Sequence, residues 1–195
     1  MLKIETLTLG LYQTNTYIIR EENSTSCCVI DPGYQAATIL STLKRRGLTL
    51  DAILLTHGHF DHVGAVRDLA ADTDCRVFLC VEDTFLPPMF TAGPLYYTDS
   101  YGEGSVLNIS GLYIHVIRTP GHTPGSVCLI VDNAIFTGDT IFEGSCGRTD
   151  IGGDWPQLQS SLKRLSGLEA DFDLYPGHGR STTLAQEKKY TPYMR

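Results

Sequence analysis

The sequence predicts an α/β protein whose helices and strands form layers, and three observations support this class. In the first 80 residues, β-branched and amphipathic segments alternate in the order strand, helix, strand, helix, strand. That order is typical of a sheet covered by helices. The second half returns to strands that are separated by turns containing glycine and proline. Five of the six histidines lie at strand-end turns, where open α/β sheets place their functional sites.

The composition indicates a soluble globular chain. With 195 residues, of which 42% are hydrophobic and 19% charged, we expect one domain over residues 1–195 with a core that needs no disulfides. The net charge is −7 and the longest basic run is Lys44-Arg45-Arg46, so nucleic acid and anionic membranes are not expected partners. No signal peptide or membrane-spanning stretch is evident, and the six scattered cysteines indicate reduced thiols in a cytoplasmic protein.

The first elements are three short strands and a helix. Residues 4–9, 16–20 and 27–30 are rich in β-branched residues and bounded by polar turns, which predicts strands. Asp31-Pro32-Gly33 follows as a turn. Residues 36–46 carry apolar side chains at helical spacing, and Gly47 ends the predicted helix.

The remaining elements follow the same alternation with one interruption. A buried strand is predicted over 51–55, a helix over 63–71 and a strand over 76–80. Residues 87–104 are irregular, and we interpret them as a loop that leans over a pocket. The second half predicts a helix over 155–165 and three strands, the last two joined by a hairpin turn at Asp132-Asn133. These strands cover residues 113–118, 126–131 and 134–137.

The strongest functional signal is Thr56-His57-Gly58-His59-Phe60-Asp61-His62, directly after the strand over 51–55. In extended backbone, positions two apart share a side, so His57 and His59 can point into one pocket. Asp61 and His62 face the same space from the following turn. Asp61 alone could be a helix N-cap, but that interpretation does not explain all four residues together. Imidazole and carboxylate are the usual ligands of zinc, iron and manganese, so we predict a metal site.

Three further candidates lie at later turns. His122 is in the turn Thr119-Pro120-Gly121-His122-Thr123-Pro124-Gly125, and Asp139 and His178 follow apolar strands. His115 is different because it lies inside an apolar strand, and we interpret it as structural.

With these residues assembled, the chain resembles the metallo-β-lactamase superfamily, and in particular its glyoxalase II-like (hydroxyacylglutathione hydrolase) branch. The resemblance implies a four-layer αββα sandwich with metals at one end of the sheets. The segment from Gly144 to Asp150 is similar to the short, single-domain members of that branch. The motifs that carry the resemblance are Thr56-His57-Gly58-His59-Phe60-Asp61-His62, Gly121-His122-Thr123-Pro124-Gly125, Gly138-Asp139 and Pro176-Gly177-His178.

The resemblance also implies a ligand set for two divalent ions, with Zn²⁺ favoured and iron or manganese as alternatives. The first ion would be held by His57, His59 and His122, and the second by Asp61, His62 and His178. Asp139 would bridge the two ions, which makes Asp61 and Asp139 the candidate catalytic carboxylates. Arg148 is the candidate substrate-binding residue, with an ion pair to Asp150 or to another loop carboxylate as the alternative.

The expected reaction is hydrolysis of a small thioester, with a 2-hydroxyacyl-glutathione as the favoured substrate. A metal-bound water has a pKa of about 7, so hydroxide is available to attack the carbonyl at neutral pH. Thiolate then leaves without a strong general acid. Aspartate at position 139 argues against lactam hydrolysis, because lactamases with a three-histidine site carry cysteine there. The chain ends 17 residues after His178, without the helical domain that completes the glutathione site of full-length glyoxalase II, so we expect weak selectivity for glutathione.

Three alternatives stay open. An iron-dependent glutathione persulfide dioxygenase would share the fold and a similar Gly-Arg-Thr-Asp segment. A hydrolase of another ester or a lactone would use the same ligands. A binding module with a purely structural metal is disfavoured, because structural zinc sites often contain thiolates.

Overall fold

Two six-stranded β-sheets form the centre of the fold in the computed structural model, which describes residues 1–194. The first sheet has the order β1 (Leu2–Leu9), β2 (Thr14–Glu21), β3 (Ser26–Ile30), β4 (Thr49–Leu54), β5 (Arg76–Leu79), β6 (Asp99–Ser100). The second has the order β14 (Thr182–Thr183), β13 (Asp173–Pro176), β10 (Ala134–Gly138), β9 (Val127–Val131), β8 (Leu112–Arg118), β7 (Val106–Ile109). A separate ribbon pairs β11 (Ile141–Phe142) with β12 (Ser145–Cys146).

The helices are short and follow individual strands. They are α1 (Ala36–Arg46), α2 (Phe60–Val63), α3 (Val66–Thr73), α4 (Pro88–Thr91), α5 (Trp155–Ser166) and α6 (Leu184–Tyr190). Two 3₁₀ turns cover Val81–Phe85 and Pro192–Met194. Within residues 1–194, no helix has the length and apolar character needed to cross a membrane.

The alternation of side chains along the strands builds three apolar layers. Tyr17 and Ile19 of β2 enter the core between the two sheets, whereas Ile18 faces the opposite side. That opposite face packs against α1 and α3, and the outer face of the second sheet packs against α5 and α6. Because successive strand residues point to opposite faces, one sheet contributes to two layers. The resulting αββα sandwich confirms the expected fold class.

Most predicted elements are present, with shifts at their ends. The predicted helix over 63–71 is wrong as one element, because the chain forms α2 and then α3 with Gly64 between them. A side chain at Gly64 would place its Cβ 2.3 Å from the carbonyl oxygen of Gly33, so this turn approaches another backbone closely. The sequence interpretation missed β7 and α6, and it missed short strands within loops. All six cysteines are free, and five are buried, as expected.

The strand directions bring the functional turns to one edge of the sandwich. Strands β3 and β4 are parallel, and β8, β10 and β13 also share one direction. Backbone hydrogen bonds tie the two sheets together at the carboxyl ends of these strands. They run from Asn15 N to Gly177 O (2.7 Å) and from Val127 N to Thr56 O (2.9 Å). The five turns that leave these strands therefore meet in one place.

Candidate metal centre

The structure brings the sequence-predicted ligands together in two groups at this edge. His57, His59 and His122 form a buried group whose ligand atoms lie within 4.8 Å of one another. Asp61, His62 and His178 form a second group with the same spacing limit. We call these the three-histidine group and the aspartate group.

Asp139 lies between the two groups. Its Oδ1 is 3.4 Å from Nε2 of His62, and its Oδ2 is 3.5 Å from Nε2 of both His122 and His178. The loop at Gly177 passes so close that a Cβ there would lie 2.2 Å from Asp139 Oδ1. Only glycine permits this approach, which explains the Pro-Gly-His sequence after β13.

Each of the five histidines has its outer ring nitrogen paired with an oxygen. Nδ1 of His62 lies 3.0 Å from Oδ2 of Asp31. Three rings bond to backbone carbonyl oxygens: His59 Nε2 to Ile151 (3.0 Å), His122 Nδ1 to Arg148 (2.7 Å) and His178 Nδ1 to Tyr12 (3.0 Å). Nδ1 of His57 bonds to the hydroxyl of Thr56 (3.0 Å). A carbonyl can only accept, so in His59 and His122 the outer nitrogen carries the proton and, in the neutral ring, the inner nitrogen presents a lone pair. This arrangement fixes tautomer and ring orientation, as the partners of metal-ligating histidines do.

The inner nitrogens of His59 and His122 face each other without a proton between them. Nδ1 of His59 and Nε2 of His122 are only 2.8 Å apart, although both are acceptors in the tautomers fixed by the carbonyls. Two lone pairs at this distance repel unless a cation lies between them. Within residues 1–194, the buried atoms His57 Nε2, His62 Nε2 and Asp139 Oδ1 also have no hydrogen-bond partner. Buried polar atoms are rarely unpaired, so the donor set fits metal ions.

The two groups differ in their electrostatics. Burial lowers the pKa of His57 and His122, and burial together with the neighbouring His122 lowers the pKa of His59 to about 4. The three-histidine group is therefore neutral at pH 7. Burial opposes charge on His62 too, but the carboxylates of Asp139 and Asp31 raise its pKa well above the usual value.

The two carboxylates are ionised at neutral pH. Burial opposes ionisation of Asp139, but the imidazoles of His62 and His122 outweigh it and hold its pKa well below the usual value. Burial likewise opposes ionisation of Asp61, and the hydrogen bond with His178 lowers its pKa. Oδ2 of Asp61 lies 3.2 Å from both Nε2 of His178 and Oγ1 of Thr14.

Asp31 is a residue of the site that the sequence analysis did not identify. It was interpreted only as part of a turn, but its side chain is buried and organises the ligand loop. Its Oδ1 accepts the N–H of Thr56 (2.7 Å), and its Oδ2 accepts the hydroxyl of Thr56 (2.5 Å). Together with the contact to His62, these bonds connect the turn after β3 to both donor groups. The available signal was its position at the end of a strand beside β4.

A cavity of about 540 Å³ opens over the donor groups. Besides the donors, its lining contains the aromatic rings of Tyr12 and Phe142 and the side chain of Arg148. Arg148 is exposed, and its Nε donates to Oδ1 of Asp150 at 2.6 Å. Arg148 thus lines the cavity and is also paired with Asp150. His115 is exposed on β8 and belongs to neither group.

Residues 87–104 pack beside the ligand loop. The ring of Phe90 lies 6.3 Å from that of His59, and a Cβ on Gly58 would meet the side chain of Leu95 at 2.7 Å. Among the described residues, none from this segment lines the cavity over the donors. The segment therefore packs against the ligand loop. It does not lean over the cavity above the donors, but Thr91 and Leu95 line a smaller cavity beside Phe60.

Comparison with known proteins identifies the class to which this fold and site belong. The family model described as the metallo-beta-lactamase superfamily matches residues 9–178. That match spans the strand-end turns with every predicted ligand. The chain belongs to the metallo-β-lactamase superfamily.

Similar proteins share the whole length of the chain. Hydroxyacylglutathione hydrolase GloC of Haemophilus influenzae is 33% identical, with 99% of this chain and 98% of that protein covered. The crystal structure of BLEG-1 B3 metallo-beta-lactamase superimposes with a TM-score of 0.88 at 34% identity, covering 100% of this chain and 99% of the other. The structure of TTHA1623 in a di-iron-bound form has a TM-score of 0.84 at 35% identity, covering 97% and 99%.

Proposed function

We propose that this protein is a metal-dependent hydrolase that cleaves a small thioester, with a 2-hydroxyacyl-glutathione as the favoured substrate. The observation that carries the metal dependence is the 2.8 Å approach of His59 Nδ1 and His122 Nε2, two acceptor nitrogens that need a cation between them. The similarity to hydroxyacylglutathione hydrolase GloC supports the thioester.

The proposed ligands are those of the two donor groups. His57, His59 and His122 would hold one ion, and Asp61, His62 and His178 would hold the other. Asp139 lies between the two donor groups and would contribute to both. Zn²⁺ suits neutral imidazole and carboxylate, but the di-iron form of TTHA1623 keeps iron open as an alternative, and manganese accepts the same ligand types. When bound, such ions polarise a carbonyl and make hydroxide available at neutral pH.

The residues of the chain prepare this site before any substrate arrives. Carbonyl partners fix the ring orientation and the tautomer of His59 and His122, so neither ring needs to turn when a ligand binds. Asp61 and Asp139 supply two negative charges that offset the charge of divalent ions. The described residues that line the cavity include no lysine, and their weakly acidic groups are Tyr12 and Cys146. Thiolate suits such a site, since it leaves without a strong general acid.

The wall of the cavity supplies orientation and shape. Tyr12, Phe60 and Phe142 place aromatic surface around the donors, and Tyr12 meets Phe60 edge-on at 5.3 Å. Arg148 is the one cationic side chain with a permanent charge among the described lining residues. We propose that it receives a carboxylate of the substrate, such as one of those in glutathione. Membranes and nucleic acids are not proposed partners.

The test is a panel of thioesters with two simultaneous readouts. The protein is loaded with zinc, iron or manganese, and free thiol and dissolved oxygen are followed together. We expect thiol release, with a kcat/KM that rises with pH and levels off above the pKa of the metal-bound water. Oxygen uptake on glutathione persulfide in the iron-loaded protein alone, without thiol release from any thioester, would instead identify a persulfide dioxygenase.

Two further substrate classes belong in that panel. The likeness to BLEG-1 B3 metallo-beta-lactamase makes a β-lactam the second candidate, against the expectation drawn from Asp139. Other esters and lactones form the third class, since they require the same attack on a carbonyl. Faster turnover of either class than of every thioester would contradict the thioester assignment while keeping the hydrolase. We also propose that residues 1–195 act as one domain in the cytoplasm.

A further inference from the structure

One buried carboxylate outside the donor groups joins the two loops that supply the three-histidine group. Asp83 lies in the 3₁₀ turn Val81–Phe85 and is fully buried. Its Oδ2 accepts the N–H of Gly58 (2.7 Å) and the hydroxyl of Thr123 (2.9 Å). Its Oδ1 accepts the N–H of Gly125 (2.6 Å).

These bonded groups are immediate neighbours of the proposed ligands. Gly58 stands between His57 and His59, and Thr123 directly follows His122. The two loops come from different sheets, after β4 and after β8. The distance between the donor atoms of His59 and His122 therefore depends on how these loops are held together. Asp83 is bonded to both.

We propose that Asp83 is a positioning residue for the metal centre, which holds residues 57–59 and 122–125 at the spacing that lets one ion bind all three histidines. We call its three hydrogen bonds the Asp83 clasp. The inference rests on the proposed metal-dependent function and deepens it, because it assigns a role to a residue that is not itself a ligand.

The clasp requires a carboxylate, because each oxygen faces a backbone N–H that cannot turn away. An asparagine at this position has one oxygen and one NH₂ group. If its oxygen faces Gly58, its NH₂ group faces the N–H of Gly125, and the flipped amide has the reverse conflict. In either orientation, one loop loses its hydrogen bond, because its backbone N–H then faces the NH₂ group of the asparagine.

Close packing around the clasp also supports its role in holding the two loops together. A Cβ on Gly125 would lie 2.6 Å from Oδ1 of Asp83 and 2.8 Å from its backbone N. The loop after β8 is therefore pressed against the Asp83 turn. The hydroxyl of Thr123 also lies 2.8 Å from Ser126 Oγ, which orients it toward the carboxylate.

The test measures zinc affinity in the full chain, in a His178→Ala background that leaves the three-histidine group as the stronger site. The metal-stripped protein is titrated with Zn²⁺ against a chromophoric chelator, and its melting temperature is recorded without metal. We expect Asp83→Asn to weaken zinc binding by about 10-fold or more, in the range found for residues that orient metal ligands.

Two controls separate positioning from general destabilisation. Leu43 is buried near the end of α1 that is remote from the metal edge, so Leu43→Ala should lower the melting temperature and leave zinc affinity unchanged. Thr123→Val removes one bond of the clasp at constant shape, and Thr123→Ser keeps the hydroxyl. We expect weaker zinc binding in the valine variant than in the serine variant.

The outcomes that overturn the clasp are distinct. If Asp83→Asn lowers the melting temperature as Leu43→Ala does, but binds zinc as tightly as its parent, the clasp alone is wrong. If Asp83→Asn does not fold, equal zinc affinities for Thr123→Val and Thr123→Ser overturn it. If the parent and the wild-type chain bind no zinc, iron or manganese, the proposed function fails, and the clasp fails with it.

Discussion

The donor groups and the wall formed by residues 142–150 lie side by side but are built differently. The side chains of His62 and His122 are 0% and 2% exposed, and every histidine donor has a fixed outer partner. In the wall, the side chains of Arg148 and Asp150 are both 65% exposed, and their main fixed contact is with each other. In the donor groups the side chains themselves are held by buried hydrogen bonds, whereas in the wall only the backbone is anchored from inside, through Gly144 N and Glu187, and the side chains of Arg148 and Asp150 are exposed.

This difference assigns separate tasks to the two regions. Buried, fully oriented donors are suited to hold ions and to keep a reaction geometry constant. An exposed wall can change its side chains at little cost in stability, since surface substitutions usually change the free energy of unfolding by less than about 0.5 kcal/mol. We infer that the chemistry of this protein resides in the donor groups and its substrate selectivity in the wall.

The largest effect is expected from Asp139→Asn. The amide replaces one carboxylate oxygen by an NH₂ group, so residue 139 can no longer serve both donor groups. We expect kcat to fall by about two orders of magnitude or more, while KM changes little because the wall is intact. Steady-state thiol release measures both parameters. A loss confined to KM would contradict the division of tasks.

The second prediction concerns the aspartate group alone. His178 is the most exposed donor, with 27% of its side chain accessible, and His178→Ala removes one of three ligands. We expect the metal affinity of one of the two sites to fall by more than roughly 10–100-fold, the loss typical when the hydrogen-bond partner of a ligand is removed. Elemental analysis should fall from two ions per chain toward one.

The control for this prediction is His115→Ala, since His115 is exposed on β8 and lies in neither donor group. It should keep the full metal content. A wild-type ratio that stays at one ion per chain after loading with zinc, iron or manganese would refute the two-ion centre itself.

The sequence predicted the donor groups better than the contacts that hold them. His57, His59, Asp61 and His62 are close in sequence, and a strand followed by a turn already places them on one side. Asp31 and Asp83 carry no such local signal, because an isolated aspartate in a turn indicates only the turn itself. Their roles arise only when distant loops meet.

The same reasoning explains what was missed in the fold. Strands β11 and β12 have two residues each, too few for any periodicity to be recognised. The break between α2 and α3 depends on the close approach of Gly64 to Gly33, a tertiary contact. By contrast, α1 was predicted with its observed bounds because its apolar spacing and Gly47 are local features.

The third prediction tests how the wall is anchored. Glu187 of α6 is buried and accepts hydrogen bonds from Gly144 N (2.9 Å), from the hydroxyl of Thr182 (2.6 Å) and from that of Thr191. Glu187→Ala leaves the N–H of Gly144 without this partner, which costs about 1–3 kcal/mol. We expect a melting temperature lower by roughly 2–12 °C and a raised KM.

A matched variant sharpens this experiment. In Glu187→Gln the remaining oxygen can still accept from Gly144, and the hydroxyl of Thr182 can rotate to accept from the new NH₂ group. The glutamine variant should therefore lie close to wild type in both KM and melting temperature. Equal KM values for wild type and the alanine variant would show that α6 does not position the wall.

The smallest effect is expected from Arg148→Lys. The guanidinium forms a bidentate pair with Asp150, and it lowers the pKa of Asp150 to about 2, so the pair persists at neutral pH. If Arg148 also receives a substrate carboxylate, a lysine cannot reproduce the fork-shaped contact. Because interactions between exposed charges are weak, we expect the KM for carboxylate-bearing thioesters to rise by only about 1.5- to 5-fold. Neutral thioesters serve as the internal control and should keep their KM.

Equal losses on both substrates would mean that Arg148 stabilises the loop through its pair with Asp150. An Asp150→Asn variant should then reproduce the effect, because it weakens the same pair without changing the guanidinium.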